Sequence, residues 1–344
     1  MTVETPPTAV PPGRAVADAM RPPPPEPTRP FLVWRDGDPL PSELLGAVAA
    51  IGNFDGVHRG HKRLIETARS EAAALGRPGA VLTFEPHPRT YFAPQKPFFR
   101  LTPEPEKLAI LERLGLDGAL VRRFDGALAG QTAAEFVGGG LNGLGLSGVV
   151  VGPDFQFGRR REGDAARLIE LCREHGLSCT VAPVLARDGA RVSSSAIRAA
   201  LGGGDVAEAN DLLGHRWFVQ GPVRHGEKRG RTLGYPTANM RLPNEAELRH
   251  GIYAVRGAVD GETHDGVASF GRRPTFDNGA PLLETNLFDF AGDLYGRTLA
   301  VEFVAFLRGE ERFESAEALV ARMDRDAAEA RAALARDAVP SMIG

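Results

Sequence analysis

The sequence is short of everything that would place it outside a reducing, aqueous compartment. Its 344 residues include two cysteines, Cys172 and Cys179, too few for a disulfide framework and better suited to reduced, structural thiols. No apolar run exceeds strand length, which excludes a bilayer-spanning helix. An excess of one charge is missing too: 41 Lys and Arg against 44 Asp and Glu leave a net charge of −3. A broad polyanion-binding surface is therefore not expected, and neither nucleic acid nor membrane is an expected partner. Self-association into a homo-oligomer is left open.

Proline is ordinary in the body of the chain and crowded at its start. Of 27 prolines, ten lie within residues 1–30, a stretch poor in large apolar residues. Such an arm cannot offset an ordering cost of about 1–2 kcal/mol per residue, so it is expected to be disordered or extended. It has no continuous apolar region of signal-peptide length, and its three arginines, scattered among prolines, build no amphipathic transit helix. A cytoplasmic location is expected.

What is present is organised in two rhythms. From Trp34 to Leu201 short β-rich runs alternate with helical stretches: strands near 46–51, 80–84, 119–122, 148–151 and 178–184, and helices near 60–75, 104–114, 133–141, 164–175 and 194–201. That alternation predicts an α/β unit, a parallel sheet with helices on both faces and ligands at the carboxyl ends of its strands. From Trp217 to Leu307 the runs 217–223, 252–259, 266–270, 282–290 and 298–306 are separated by Gly, Asn, Asp and Pro. They predict an antiparallel sheet or small β-barrel. A C-terminal helix opens at Ser315, with Ala318 where a full capping box would have Glu or Gln. The expected division is an arm over 1–30, a first domain over 31–201, a linker over 202–214 and a second domain over 215–344.

The first expected strand runs into Gly52-Asn53-Phe54-Asp55-Gly56-Val57-His58-Arg59-Gly60-His61. Glycines allow a tight turn and close approach of backbone to a phosphate, and the following helix aims its N-terminus at an anion. His58 and His61, three residues apart, project to one side of the first helical turn, where two imidazoles suit phosphate oxygens. Capping or adventitious metal binding by the pair is the plainer alternative. Ser194, Ser195 and Arg198 open another helix, where the serines also make an ordinary N-cap. His87, between Pro86 and Pro88, either lines a pocket or is structural.

GNFDGVHRGH resembles the loop of nucleotidylyltransferases marked by His-x-Gly-His. Thr83–Pro88 (TFEPHP), Val151–Gly158 (VGPDFQFG) and Val192–Arg198 (VSSSAIR) narrow the resemblance to the adenylyltransferase half of bifunctional riboflavin kinase/FAD synthetases of prokaryotic type. The resemblance implies a Rossmann-like fold in which Gly52, Phe54, Asp55, Gly56, His58, His61, Asp154, Ser194, Ser195 and Arg198 bind ATP. Position 195 carries Ser where the family usually has Thr, and Asp154 stands where some relatives have Asn.

The second unit begins Gly221-Pro222-Val223-Arg224-His225-Gly226-Glu227-Lys228-Arg229-Gly230-Arg231-Thr232-Leu233-Gly234-Tyr235-Pro236-Thr237-Ala238-Asn239. It matches neither the phosphate loop ending Gly-Lys-Ser/Thr nor a protein-kinase glycine loop. Alternation puts Thr237 and Asn239 on one face of an extended segment, two neutral oxygen ligands suited to Mg²⁺ when a substrate brings the negative charge. An exposed basic hairpin is the plain alternative. The Gly-x-Pro-Thr-Ala-Asn pattern resembles the riboflavin kinase domain. By that resemblance Gly226, Gly230, Arg231, Gly234, Pro236, Thr237, Asn239 and Arg308 bind ATP or flavin, Thr237 and Asn239 hold the metal, and Glu284 is the base. Asn286 replaces a His the family often shows.

The implied chemistry is phosphorylation of riboflavin by ATP to FMN, then adenylylation of FMN by ATP to FAD and pyrophosphate, with Mg²⁺ as cofactor. The resemblance covers residues 31–331. A flavin-binding or regulatory protein that has lost catalysis, and an adenylyltransferase for another phosphate acceptor, are the alternatives.

Overall fold

The computed structural model describes residues 30–183, 186–187, 190–225, 235–272 and 280–343. Its first sheet contains β1 (Leu32–Arg35), β2 (Val48–Ile51), β3 (Gly79–Glu85), β4 (Gly118–Arg123), β5 (Gly148–Val151) and β6 (Ser178–Val181). The strands lie in the order β1-β4-β3-β2-β5-β6, and every pairing is parallel. Between them run α1 (Arg59–Ala74), α2 (Pro88–Phe92), α3 (Glu104–Arg113), α4 (Gly126–Gly130), α5 (Ala133–Glu135) and α6 (Ala165–Glu174). The helix expected over 133–141 is α5 followed by a wider π-helical turn, Phe136–Asn142, through Gly138-Gly139-Gly140.

Alternation sends Ala49, Ile51, Leu82, Val149 and Val151 into one core, and Val48, Ala50, Val81 and Val150 into another. Both faces of the sheet are therefore buried, which is why its strands read as unbroken apolar runs. The chain passes from β2 through β3 to β4 and later returns to β5 beside β2, so strand order reverses between β2 and β5. The loops leaving those two strands flank the crevice where open α/β sheets bind ligands.

A short hairpin, β7 (Ala186–Arg187) and β8 (Ala190–Arg191), precedes α7 (Ser194–Gly203) and α8 (Val206–Leu213). Gly204 and Gly214, at φ +83° and +70°, end those helices in the left-handed conformation that glycine adopts without strain. Residues 202–214 thus form mostly helix. Val206, Ala209, Leu212 and Leu213 of this segment join one core with Trp217 and Phe303.

The second sheet is the expected barrel. β9 (Phe218–Pro222), β10 (Ala238–Arg241), β11 (Gly251–Val259), β12 (Glu262–Arg272), β13 (Pro281–Leu287) and β14 (Thr298–Arg308) lie in the antiparallel order β10-β13-β12-β11-β14-β9. A bridge between Arg224 and Asn239, with Arg224 N donating to Asn239 O at 2.8 Å, joins the two edges. The closing helix α9 (Ala316–Arg336) is capped by Ser315 Oγ, which accepts from Ala318 N at 3.2 Å. Its Ala327, Ala330 and Leu334 cover Ala254, Phe288 and Val304 on the barrel's outer face.

Candidate active sites

The turn from β2 into α1 is tightly wound. Phe54 and Val57 sit at φ +50° and +43°, a region a β-branched residue such as Val57 occupies only when its surroundings enforce it. The enforcement is visible. Asp55, 2% exposed, accepts from Leu101 N at 2.9 Å and Thr102 N at 3.2 Å through Oδ1, and pairs with the Arg198 guanidinium through Oδ2. Its backbone oxygen accepts from Ser194 Oγ at 2.8 Å. Gly56 N donates to Thr102 Oγ1 at 2.8 Å, and a Cβ at position 56 (φ +87°) would stand 3.0 Å from Leu101 Cδ1 and 3.2 Å from Leu213 Cδ2. Only glycine fits there.

The geometry places two of the expected nucleotide-binding side chains inside the protein. Phe54 is wholly buried in the core beneath the turn, so its side chain holds the loop from below. The Asp55 carboxylate is spent on protein donors and ties the loop to α7. Burial pushes its pKa above the ordinary value, against the pull of Arg198 and the two amides.

His58 is the N-cap of α1, its Nδ1 accepting from His61 N at 3.2 Å. With Nδ1 an acceptor, the neutral ring carries its proton on Nε2 and can donate there. The His58 and His61 rings stack at 3.6 Å between centroids and 12° between planes, and Phe54 meets His61 edge-on at 5.2 Å. The two imidazoles stand together at the positive end of α1. Next to them Lys62, whose Nζ donates to Gly214 O at 2.9 Å, has its pKa lowered to about 8 by burial and by Arg59.

Beside the turn lies an ionic cluster that sequence reasoning missed. Glu85 accepts two bonds from Arg100, each 2.7 Å, and one from Lys107 Nζ at 2.7 Å. Lys107 is fully buried and also donates to Thr83 Oγ1 at 3.1 Å and Asn53 O at 3.4 Å. Its ammonium thus reaches the carbonyl of the second loop residue. His87 caps α2, and burial followed by nearby Arg100 and Lys107 lowers its pKa to about 4. Glu85 and His87 stand in the TFEPHP motif, but Arg100 and Thr102 come from a stretch without motif, and Lys107 from a helix whose period marks no role for its ammonium.

Ser195 and Arg198 line a cleft with Arg89, Pro97, Phe98, Phe99, Ala199 and Glu247. Arg89 and Arg198 stand 4.7 and 4.6 Å from the Phe98 ring centroid. An aromatic ring between two cations suits a flat, anionic ligand. Asp154 is exposed on the loop after β5, and Gly52 leaves the end of β2, so the two occupy the loops that flank the crevice.

In the barrel, Pro236, Thr237, Asn239 and Thr285 line a pocket with Val223, Leu287, Phe290, Asp293, Leu294 and Tyr295. Asn239 Nδ2 donates to Thr237 O at 3.3 Å, which leaves its amide oxygen as the end suited to a hard cation. Asn239 pairs in register with Glu284, so the two share a face, and Asn286 on that same face donates to Pro236 O at 2.7 Å. Thr285 is a residue the sequence did not mark. It is 1% exposed, and its hydroxyl has no hydrogen-bond partner among the described residues. A buried hydroxyl left so costs about 1–3 kcal/mol, which a polar ligand in the pocket would recover. Among the described residues no cluster of three or more His, Cys, Asp or Glu forms a metal cage. The neutral oxygens of Thr237 and Asn239 fit a cation that arrives with its phosphate ligands.

Arg308 is not brought to this pocket. It shares a cross-strand row with Asn239 and Glu284 through Ser269 and Ile252, three strand spacings (roughly 14 Å) from Glu284. Asp326 of α9 holds its guanidinium by two bonds, 2.9 and 2.6 Å. Gly226, Gly230, Arg231 and Gly234 lie outside the described residues.

The comparisons with known proteins follow this division. The FAD synthetase family model matches residues 40–196, and the riboflavin kinase family model residues 213–334. The bifunctional riboflavin kinase/FMN adenylyltransferase of Pseudomonas fluorescens is 42% identical over 307 residues, covering 87% of this chain and 96% of that one. The enzyme of the same name from Escherichia coli K12 is 41% identical over 83% of this chain and 92% of its own. Its counterpart in Bacillus subtilis is 36% identical, with coverages of 85% and 93%. A crystal structure described as a macrolide-efflux protein from Streptococcus pneumoniae shares the fold, with a TM-score of 0.75 and 31% identity over 82% of this chain and 92% of that chain. No described helix here is long and apolar enough to cross a membrane. By its sequence, the chain belongs to the bifunctional riboflavin kinase/FMN adenylyltransferase family.

Proposed function

We propose that the two reactions of this bifunctional enzyme, riboflavin to FMN and FMN to FAD, run at separate sites, adenylylation within residues 31–201 and phosphorylation within 215–344. Both consume ATP, and the second releases pyrophosphate. The observation that carries the first assignment is the stacked His58–His61 pair at the N-terminus of α1, beside the strand-order reversal. An oxygen of the FMN phosphate attacks the α-phosphorus of ATP. The His58 Nε2–H, His61 and the first-turn amides of α1 stabilise charge on the phosphate oxygens as pyrophosphate leaves. Ser195, Arg198, Arg89 and the Phe98 ring suit the planar, anionic flavin.

In the barrel, Thr237 and Asn239 would hold a Mg²⁺ that arrives with ATP, and the metal would supply charge neutralisation. Glu284, on the Asn239 face, orients the ribityl 5′-hydroxyl and takes its proton as the oxygen attacks the γ-phosphorus, whose bond to the bridging oxygen breaks to release ADP. General-base help of this kind contributes about 10²–10⁴-fold. The residue chemistry favours these reactions over flavin storage, since binding flavin needs neither a paired imidazole cradle nor a carboxylate beside metal-binding oxygens. A cytoplasmic setting, where riboflavin and ATP meet, is part of the same reading.

The test is to incubate the purified chain with riboflavin, ATP and Mg²⁺ and to separate the flavins over time. FMN appearing first and FAD following is the expected course. Seeing neither product would overturn the enzymatic reading.

A further inference from the structure

The segment Phe99–Thr102 touches three things at once. Leu101 N and Thr102 N hold the Asp55 carboxylate, Thr102 Oγ1 holds Gly56 N, and Phe99 O accepts from Arg198 Nε at 2.6 Å. The remaining polar group at its centre, Leu101 O, is taken by the barrel: Trp217 Nε1 donates to it at 2.9 Å. Trp217 is itself fixed on every side. Its N donates to Asn210 Oδ1 at 2.8 Å, its O accepts from Phe303 N at 2.9 Å, and its ring lies 4.9 Å from Phe303 and 5.8 Å from Phe99. Asn210 in turn donates from Nδ2 to Phe303 O at 2.8 Å, so the indole is anchored to β14 of the barrel. It is 1% exposed.

We infer that Trp217, the residue that leads into the barrel, is a positioning residue for adenylyl transfer in the other domain. Through the carbonyl of Leu101 it sets the register of the Leu101 and Thr102 amides that pin Asp55. Asp55 and Gly56 set the left-handed turn that delivers His58 to the N-cap of α1. The path has two hydrogen-bonded links, indole to Leu101 and then Leu101 and Thr102 to the loop, after which the chain itself carries Asp55 and Gly56 on to His58. The outer side of α1 is gripped from the same direction, with Arg59 Nε donating to Asp211 O at 2.5 Å and Lys62 Nζ to Gly214 O. The phosphate-binding turn therefore takes its final geometry from outside its own sheet, whereas Trp217 lines neither the barrel pocket nor the Thr237–Asn239 face.

The inference rests on the site assignment above, and its test separates the two. Trp217→Phe keeps a ring against Phe303 and Phe99 and deletes the indole N–H. With the full-length chain, the rate of FAD formation from FMN and ATP is measured beside the rate of FMN formation from riboflavin and ATP. The kcat for FAD is expected to fall about fivefold, the worth of one buried hydrogen bond, with KM for ATP and FMN unchanged and FMN formation retained. Thr102→Val, which loosens the same segment from within the first domain, should show the same selective loss. The double variant should lose less than the product of the two single losses, because both changes release one segment. Parallel loss of FAD and FMN formation would mean a general structural role and overturn the inference, as would full FAD activity in Trp217→Phe or multiplicative losses in the double variant. Absence of FAD synthesis in the unmodified chain would instead overturn the site assignment itself.

Discussion

The buried pair of Asp55 and Arg198 yields the sharpest quantitative prediction. Their side chains are 3% and 11% exposed, so both charges have left water and depend on each other. In Asp55→Asn the amide oxygen takes over the Leu101 and Thr102 N–H groups, which turns the amide NH₂ toward the guanidinium. Donor then faces donor, and a buried cation has lost its counter-charge. Removing one partner of such a pair costs about 3–5 kcal/mol. Arg198 keeps its bond to Phe99 O, so about 3 kcal/mol is expected. Arg198→Met leaves Asp55 with its two amides and, because burial already raises its pKa, with the option of protonation; about 2 kcal/mol is expected. Removing both charges leaves no ion unpaired, and the double variant should lie within about 2 kcal/mol of the parent. The coupling is then about 3 kcal/mol. Urea denaturation of the four proteins measures it, with Trp34 in β1 and Trp217 at the junction as the two fluorophores of the chain. Additive single effects would refute the claim that this pair is a mutually dependent clasp. In the same proteins FAD formation should fall about a hundredfold, as expected when reacting groups are misplaced by about an ångström.

Other outcomes follow from the same geometry. His61→Ala should abolish most FAD formation and leave FMN formation, whereas Glu284→Gln should suppress FMN formation and leave FAD formation from supplied FMN; equal loss of both steps in either variant would refute separate sites. His87, with its pKa lowered to about 4, stays neutral in the folded chain while the unfolded imidazole takes a proton below its ordinary pKa of about 6.5. Stability therefore falls as pH drops from about 6.5 to 4, by at most about 1.4 kcal/mol per unit from this group. His87→Gln should flatten that slope in urea midpoints measured at several pH values, and an unchanged slope would refute the assignment. Chelation by EDTA should stop both reactions and added Mg²⁺ restore them; either rate persisting in EDTA would refute the metal's role in that step.

Much of the architecture could be read before any coordinates. Period-two and period-3.6 patterns located β2 to β6, α1, α3, α6, α7 and the barrel strands β9 and β11 to β14, because residues buried on a sheet face or helix stripe must be apolar wherever the element packs. The glycine-histidine turn and the Pro-Thr-Ala-Asn run were equally legible, since backbone approach to phosphate and alternation on a strand constrain residue type locally. β1 and β10 were not: β10 holds only two apolar residues, and β1 is three apolar residues followed by arginine, less of a run than continues through the equally short β2 and β5.

Tertiary structure alone decided which polar side chains are enclosed by partners within the protein. Asp55 and Arg308 carry charges that suit a nucleotide, yet Asp55 is enclosed by Leu101, Thr102 and Arg198, and Arg308 by Asp326. A charge looks the same in sequence whether its partner is a ligand or a residue more than 140 positions away, as for Asp55 and Arg198. The same holds for Lys107, Thr285 and Trp217, whose roles come from contacts that no local pattern encodes. The sequence by itself determined the two kinds of sheet and the two motif-bearing turns, because each depends on neighbours along the chain. The clasp around Asp55 and the bond from the barrel's tryptophan to the first domain depend on long-range packing, and only the fold could bring those groups within hydrogen-bonding distance.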